Sequence, residues 1–304
     1  MPNKKLDCLG LGIMPLDVLL SVPHYPNAGG KIDATDIIVQ GGGPVANALV
    51  GLSRLGMKTA MIAAVGNDFA GALGLQELKR ERVDTRYIVV KKAPSAVATG
   101  FVENGSGRRT IALHRKIAVS PRDLRLSAYP APRIIHLDGR DLESCVALAR
   151  WGRWHGSIIS FDIGSMRNDI SPILPLVDHL VVADAFALPF TGARHAESAI
   201  RKLSKRCYGT IVITQGTHGT VGREDGVVVH QRAFKVKNVD TTGAGDSFHA
   251  GYLYGLLKEW SLSRRLLIAA ATAALKCTRP GARTGAPTLR EVQTFLRKRP
   301  STYA

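Results

Sequence analysis

An α/β protein built around a mostly parallel sheet is predicted by three features of this 304-residue chain. Short apolar runs alternate with helical patterns from one end to the other. The apolar runs are continuous rather than alternating, as in strands covered on both faces. Two stretches break the alternation with hairpin-like sequence, so a second, smaller sheet is expected beside the first.

The elements follow in order. The first strand is "LDCLGLGI" (6–13), and residues 14–40 then read as β-hairpin material with no helix. "PVANALVGLSRLG" (44–56) sets Val45, Ala48, Leu49, Leu52 and Leu55 at helical spacing, with Gly56 where a left-handed cap belongs. A strand "TAMIAAVG" (59–66) and a helix over 69–82 come next. Residues 95–115 hold the Gly-rich turn "ENGSGRR" between two extended arms, and so pair with 14–40 as a small antiparallel sheet. Strands at 133–138, 157–164, 178–184 and 209–216 are interleaved with helices at 142–151 and 196–205. Helices at 244–258, 262–275 and 289–298 complete the chain. No repeat or low-complexity linker divides residues 1–304, which read as a single domain.

The 41 Lys and Arg against 24 Asp and Glu give a net charge of +17. The basic residues come in scattered pairs and triplets with no arm or long run, which argues against nucleic acid and suits an anionic small molecule. Cys8, Cys145, Cys207 and Cys277 lie far apart with no metal-ligand spacing, consistent with a reduced, cytoplasmic chain. No apolar run reaches the ~18 residues of a membrane span, and Asp7 and Asp17 interrupt the N-terminal apolar stretch.

Two motifs carry chemistry. In "DTTGAGDSFHAGYL" (240–253), Gly243, Ala244 and Gly245 stand ahead of a helical run, so an anion can approach the unpaired amides of the helix start. Asp246 sits in the same turn, where a carboxylate would repel phosphate unless it faces another group. The two requirements divide: the amides hold charge developing on a transferred phosphoryl group, and Asp246 accepts the proton of the attacking hydroxyl. The plainer alternative is a first-turn aspartate that only complements the helix dipole, and that dipole is expected to favour its ionised form. In "GGGPVANA" (41–48), glycines again precede a helix, with Asn47 able to donate and accept toward vicinal hydroxyls. Gly10-Leu11-Gly12 does not extend to a dinucleotide fingerprint, because the third glycine position is Pro15.

Together the two motifs, with "AAVGNDFAG" (63–71) and "TQGTHG" (214–219), resemble the ribokinase-like, or PfkB, sugar and nucleoside kinases over essentially the whole chain. The tail "AALKCTRPGARTGAP" (273–287) is most similar to the sulfofructose kinases of that family, and more broadly to ketohexokinase-like members. The resemblance implies a three-layer fold with a small β lid over the sugar, formed by about 14–40 and 95–115, and a homodimer through that lid. It implies Asp246 as catalytic base, with Gly243, Ala244 and Gly245 as the anion hole. It assigns Asp17, Gly42, Gly43 and Asn47 to the sugar, and Thr214, Gly216, Gly219 and Thr242 to the nucleotide. ATP and Mg²⁺ are the implied cofactors, with K⁺ a further candidate.

Two departures stand out. Where many members carry Asn-x-x-Glu for the magnesium shell, this chain reads "ADAF" (183–186), leaving Asp184 as the carboxylate for the metal, through water. Asn47 stands where a sulfofructose kinase has Thr, while Arg140 falls near the position that meets the anionic end of the sugar. The expected activity is ATP-dependent phosphorylation of a primary hydroxyl on a ketose or furanose. A nucleoside kinase and a non-catalytic sugar- or nucleotide-binding regulatory protein are the alternatives. The first lacks an aromatic platform beyond Tyr25 and Phe101, and the second is disfavoured by the joint presence of Asp17, Asn47 and Asp246.

Overall fold

A computed structural model describes residues 6–165 and 169–299. The large sheet has eight strands. From one edge they run Val227–Gln231 (β14), Thr220–Glu224 (β13), Thr210–Thr214 (β12), His179–Ala183 (β11), Ile158–Ile163 (β10), Ile134–Leu137 (β9), Cys8–Leu11 (β1) and Thr59–Ile62 (β4). The six strands from β12 to β4 are parallel, and β13 and β14 add an antiparallel edge.

Alternate residues of these strands enter opposite cores, which is why the apolar runs are continuous. Leu9, Leu11, Ile135 and Leu137 pack beneath the helices Leu142–Trp154 (α3), Asp184–Thr191 (α4) and Ala196–Leu203 (α5). On the other face Cys8, Met61 and Ile134 meet Pro44–Arg54 (α1), Ala244–Leu257 (α6) and Leu262–Cys277 (α7). The helices Phe69–Arg80 (α2) and Leu289–Arg297 (α8) add Leu78 and Val292 to that second core. The result is the expected three-layer arrangement.

The small sheet has the order Asp36–Gly41 (β3), Leu16–Val22 (β2), Val97–Glu103 (β7) and Arg109–His114 (β8). Its two hairpins are antiparallel as expected, and the seam between them, β2 against β7, is parallel. The stretch 59–66 divides in two: β4 joins the large sheet, whereas Ala64–Gly66 (β5) pairs with Val89–Lys91 (β6) in a separate two-stranded ribbon. Helix α4 was not expected, because Pro189 lies inside it and "LPFTG" reads as a breaker. Among the described residues no helix is long and apolar enough to cross a membrane.

Candidate active site

Helix α6 starts at the C-terminal edge of the parallel sheet, where open α/β sheets bind ligands. Its N-cap, Gly243, is left-handed with φ 74°, and a Cβ there would lie 2.6 Å from that of Ala282, so both backbone and space demand glycine. The Ala244 amide already donates to the Thr241 carbonyl at 3.1 Å. This corrects its place in the anion hole: the amides with no acceptor among the described residues are those of Gly243, Gly245 and Asp246. A Cβ at Gly245 would meet nothing within 4 Å, so its bareness serves the open space in front of the helix rather than packing.

Asp246 is half-buried in the first turn, and its Oδ2 accepts from Asn47 Nδ2 at 2.7 Å. Asn47 comes from α1, whose N-cap Gly43 has φ 99° and passes so close to the Ile13 carbonyl that a Cβ would lie 2.1 Å from its oxygen. Behind Asn47 lies wholly buried Arg283, whose Nε donates to Asn47 Oδ1 at 3.0 Å. The guanidinium also donates to Glu77 at 3.0 Å and to the Gly42 carbonyl at 2.8 Å. Asp17 faces the same glycine, since a Cβ on Gly42 would come within 2.1 Å of the Asp17 carboxylate. That carboxylate is buried and has no hydrogen bond to another described residue, which leaves its oxygens for a ligand.

A cavity of about 490 Å³ opens in front of this cluster. Gly245 and Asp246 form one wall, and Thr214, Gly216 and Asp184 another. Arg140 enters from the loop after β9, and Arg109 reaches in from β8 of the small sheet. Neither arginine has a carboxylate partner among the described residues, so two unpaired cations face an otherwise acidic cavity lined also by Asp138 and Asp162.

Burial dominates the proton affinities here. It pushes Asp246 up to about 6, helped by the charge of Asp162 and opposed by the Asn47 hydrogen bond. The helix N-terminus was expected to hold this carboxyl low, and desolvation outweighs it. Burial likewise pushes Asp17 up to about 7 against the pull of Arg283, and Asp138 up to about 8 against the hydrogen bond from the Ile13 amide. Asp162 is also buried, yet its contact with His249 at 3.0 Å holds it below the usual carboxylate range.

Of the residues singled out from sequence, Asp246, Gly245, Ala244, Arg140, Thr214, Gly216 and Asp184 line the cavity, and Asn47, Asp17 and Gly42 stand directly behind Asp246. Gly219 does not join them: it turns the chain between β12 and β13 with φ 98°, and its Cβ position faces the Gln231 carbonyl. Thr242 is buried with its hydroxyl unpartnered, while neighbouring Thr241 lines the cavity. Phe186, at the expected Glu position, is buried and stacked on Phe190, so it offers the metal no oxygen. Arg109, Arg283, Asp162 and His249 were missed. Arg109 lay in plain view in "GRRT" but read as one more solvated basic pair.

The chain is similar to known proteins over nearly its whole length. The model of the pfkB family carbohydrate kinases matches residues 4–289. A ribokinase of Haemophilus influenzae is 25% identical over 305 residues, covering 94% of this chain and 97% of its own. An ATP-dependent ribose-1-phosphate kinase of Halopiger xanaduensis is 29% identical, covering 96% and 98%. The crystal structure of a ribokinase from Thermotoga maritima superposes with a TM-score of 0.82 at 23% identity, covering 96% and 99%. A match across nearly the whole chain, on a fold that sets Asp246 at the mouth of a helix-capped cavity, places this protein in the pfkB family of carbohydrate kinases, phosphotransferases that act on an alcohol group.

Proposed function

We propose that the chain acts as one kinase unit that transfers the γ-phosphoryl group of ATP to a primary hydroxyl of a monosaccharide, a ketose or furanose bearing an anionic group. The observation that carries the reading is Asp246: a half-buried carboxyl, hydrogen-bonded by Asn47, with a proton affinity near neutrality and an open wall of free amides beside it. A base poised near the working pH suits proton removal from a hydroxyl.

Asp17, Asn47 and the Gly42 backbone hold the sugar hydroxyls, and Asp246 takes the proton of the reacting one. The hydroxyl oxygen forms its bond to the γ-phosphorus as the bond to ADP breaks. The amides of Gly243, Gly245 and Asp246 donate to the oxygens on which charge collects. Mg²⁺ bound with ATP would neutralise phosphate charge, and half-buried Asp184, which lines the cavity, would hold it through water, since Phe186 offers no oxygen. Arg109 and Arg140 meet the anionic end of the sugar, and Arg109 does so only when its sheet lies over the cavity. That sheet is the lid, which excludes water as a competing acceptor. Its edge strand β3 exposes Ile37 and Val39 on one face of the sheet, an apolar surface suited to a homodimer contact. Four free cysteines suit a reducing cytoplasm.

An ADP-release screen over ribose, fructose, their phosphates, sulfofructose, ketodeoxy sugar acids and nucleosides tests the substrate. Asp246→Asn tests the chemistry: kcat should fall by about 10² to 10⁴ with ATP affinity little changed. A variant retaining more than a tenth of wild-type kcat would remove Asp246 from the role of base, since ~10² is the least such a base contributes.

A further inference from the structure

The face of the large sheet that packs on α6 mixes apolar side chains with buried polar ones, such as His179 against the Tyr252 hydroxyl at 3.0 Å, and three ligand-type groups gather at one place on it. His136 on β9, Asp162 on β10 and His249 on α6 are buried together there. One nitrogen or carboxylate oxygen from each lies within 4.8 Å of the other two. Each imidazole has one nitrogen engaged: His136 Nδ1 stands 3.2 Å from Ser160 Oγ, and His249 Nε2 stands 3.0 Å from Asp162 Oδ1. The other nitrogen of each ring, His136 Nε2 and His249 Nδ1, is buried with no partner among the described residues.

A buried polar group left unmet is destabilising, and two occur here in rings whose centroids are 5.1 Å apart. Packing alone would favour apolar side chains here, like Ile134, Val181 and Val212 on the same face. His136, however, has Nδ1 fixed by Ser160 and Nε2 left as a free lone pair, which is how metal-binding histidines are held, while the nitrogen that His249 brings toward Asp162 is Nε2.

We propose that His136, His249 and Asp162 bind one divalent transition-metal ion of the zinc and cobalt class, at a site distinct from that of the Mg²⁺ accompanying ATP. Two imidazole nitrogens and one carboxylate suit such ions, whereas Mg²⁺ takes oxygen ligands and keeps its waters. Asp162 and His249 line the cavity and His136 lies behind them, so the ion can enter from the cavity and keeps one side open to it. His249 is three residues beyond Asp246, and a metal bond to it ties the active-site helix to β9 and β10.

The test uses the full chain, stripped of metal with a chelator, dialysed, and titrated with Co²⁺ and then Zn²⁺. The expected result is one Co²⁺ per chain with a visible ligand-field band, displaced by Zn²⁺ and not by millimolar Mg²⁺. Zn²⁺ should raise the melting temperature of the wild type. His136→Gln and His249→Gln should each weaken Co²⁺ binding by at least about tenfold. Far-ultraviolet circular dichroism of the metal-free variants checks that they fold, and the wild-type titration is decisive even where one does not. A wild type that retains no Co²⁺ overturns the proposal. So does Co²⁺ binding that both folded variants keep unchanged, or that Mg²⁺ displaces.

Discussion

Asn47→Ala isolates the link between the sugar site and the base. Asn47 Nδ2 donates to Asp246 Oδ2 at 2.7 Å, and this hydrogen bond favours the ionised carboxyl. A hydrogen bond to a charged group contributes about 1.5–3 kcal/mol, and one pKa unit corresponds to ~1.36 kcal/mol, so its loss raises Asp246 by about 1 to 2 units. The wild-type carboxyl, at about 6, is mostly ionised at pH 7. In the variant it would be half or more protonated there, and protonated base cannot accept the hydroxyl proton. The acid limb of kcat/KM should therefore move up by about 1 to 2 pH units, so the variant's deficit grows about five- to twenty-five-fold from pH 8 to pH 6. A lost sugar contact adds a second deficit, which is the same at every pH. The assay is coupled ADP release across pH 5 to 9, with the coupling enzymes in excess. A deficit independent of pH would show that Asn47 serves the sugar alone and does not hold the base ionised.

Other outcomes follow from the same geometry. Asp17 is raised to about 7, so its folded form binds a proton more tightly than its unfolded form, and the protein loses stability as pH rises from the ordinary carboxylate range through 7. Asp17→Asn should accordingly melt higher relative to wild type at pH 8 than at pH 5, while sugar affinity drops and ATP affinity holds; the reverse trend in melting would refute the burial argument. Gly245→Ala meets no clash and should keep the wild-type melting temperature yet lose phosphoryl transfer. Gly243→Ala should lower the melting temperature, because its φ of 74° and the Ala282 contact both resist a side chain. Arg109→Ala and Arg140→Ala should reduce kcat/KM for anionic sugars and leave neutral ones nearly unaffected; equal loss on both classes would count against an anion-binding role.

The layer architecture was legible in the chain because it depends on local pattern. Continuous apolar runs such as "IVIT" at β12 need cover on both faces, the spacing of Val45 to Leu55 gives α1 one apolar side, and small residues before Asp246 mark a helix start open to an anion. Each of those inferences uses residues within a single helix or a single strand. Helix α4 failed the same test, because tertiary cover tolerates Pro189 where local propensity does not. The site's electrostatics could not be read that way. Asn47 meets Asp246 across 199 residues and Arg283 across 236, so only folding decides that an asparagine holds the base and a buried arginine holds the asparagine. Whether Asp246 is a low or a raised carboxyl depends on water excluded by distant segments and on the charge of Asp162. The juxtaposition of His136, Asp162 and His249, and the choice of Arg109 among 41 basic residues to face the cavity, come from strand order and the packing of α6 and the small sheet against it. Residue type is a local property of the chain, whereas burial and charge proximity are sums over neighbours that the chain brings together only when it folds.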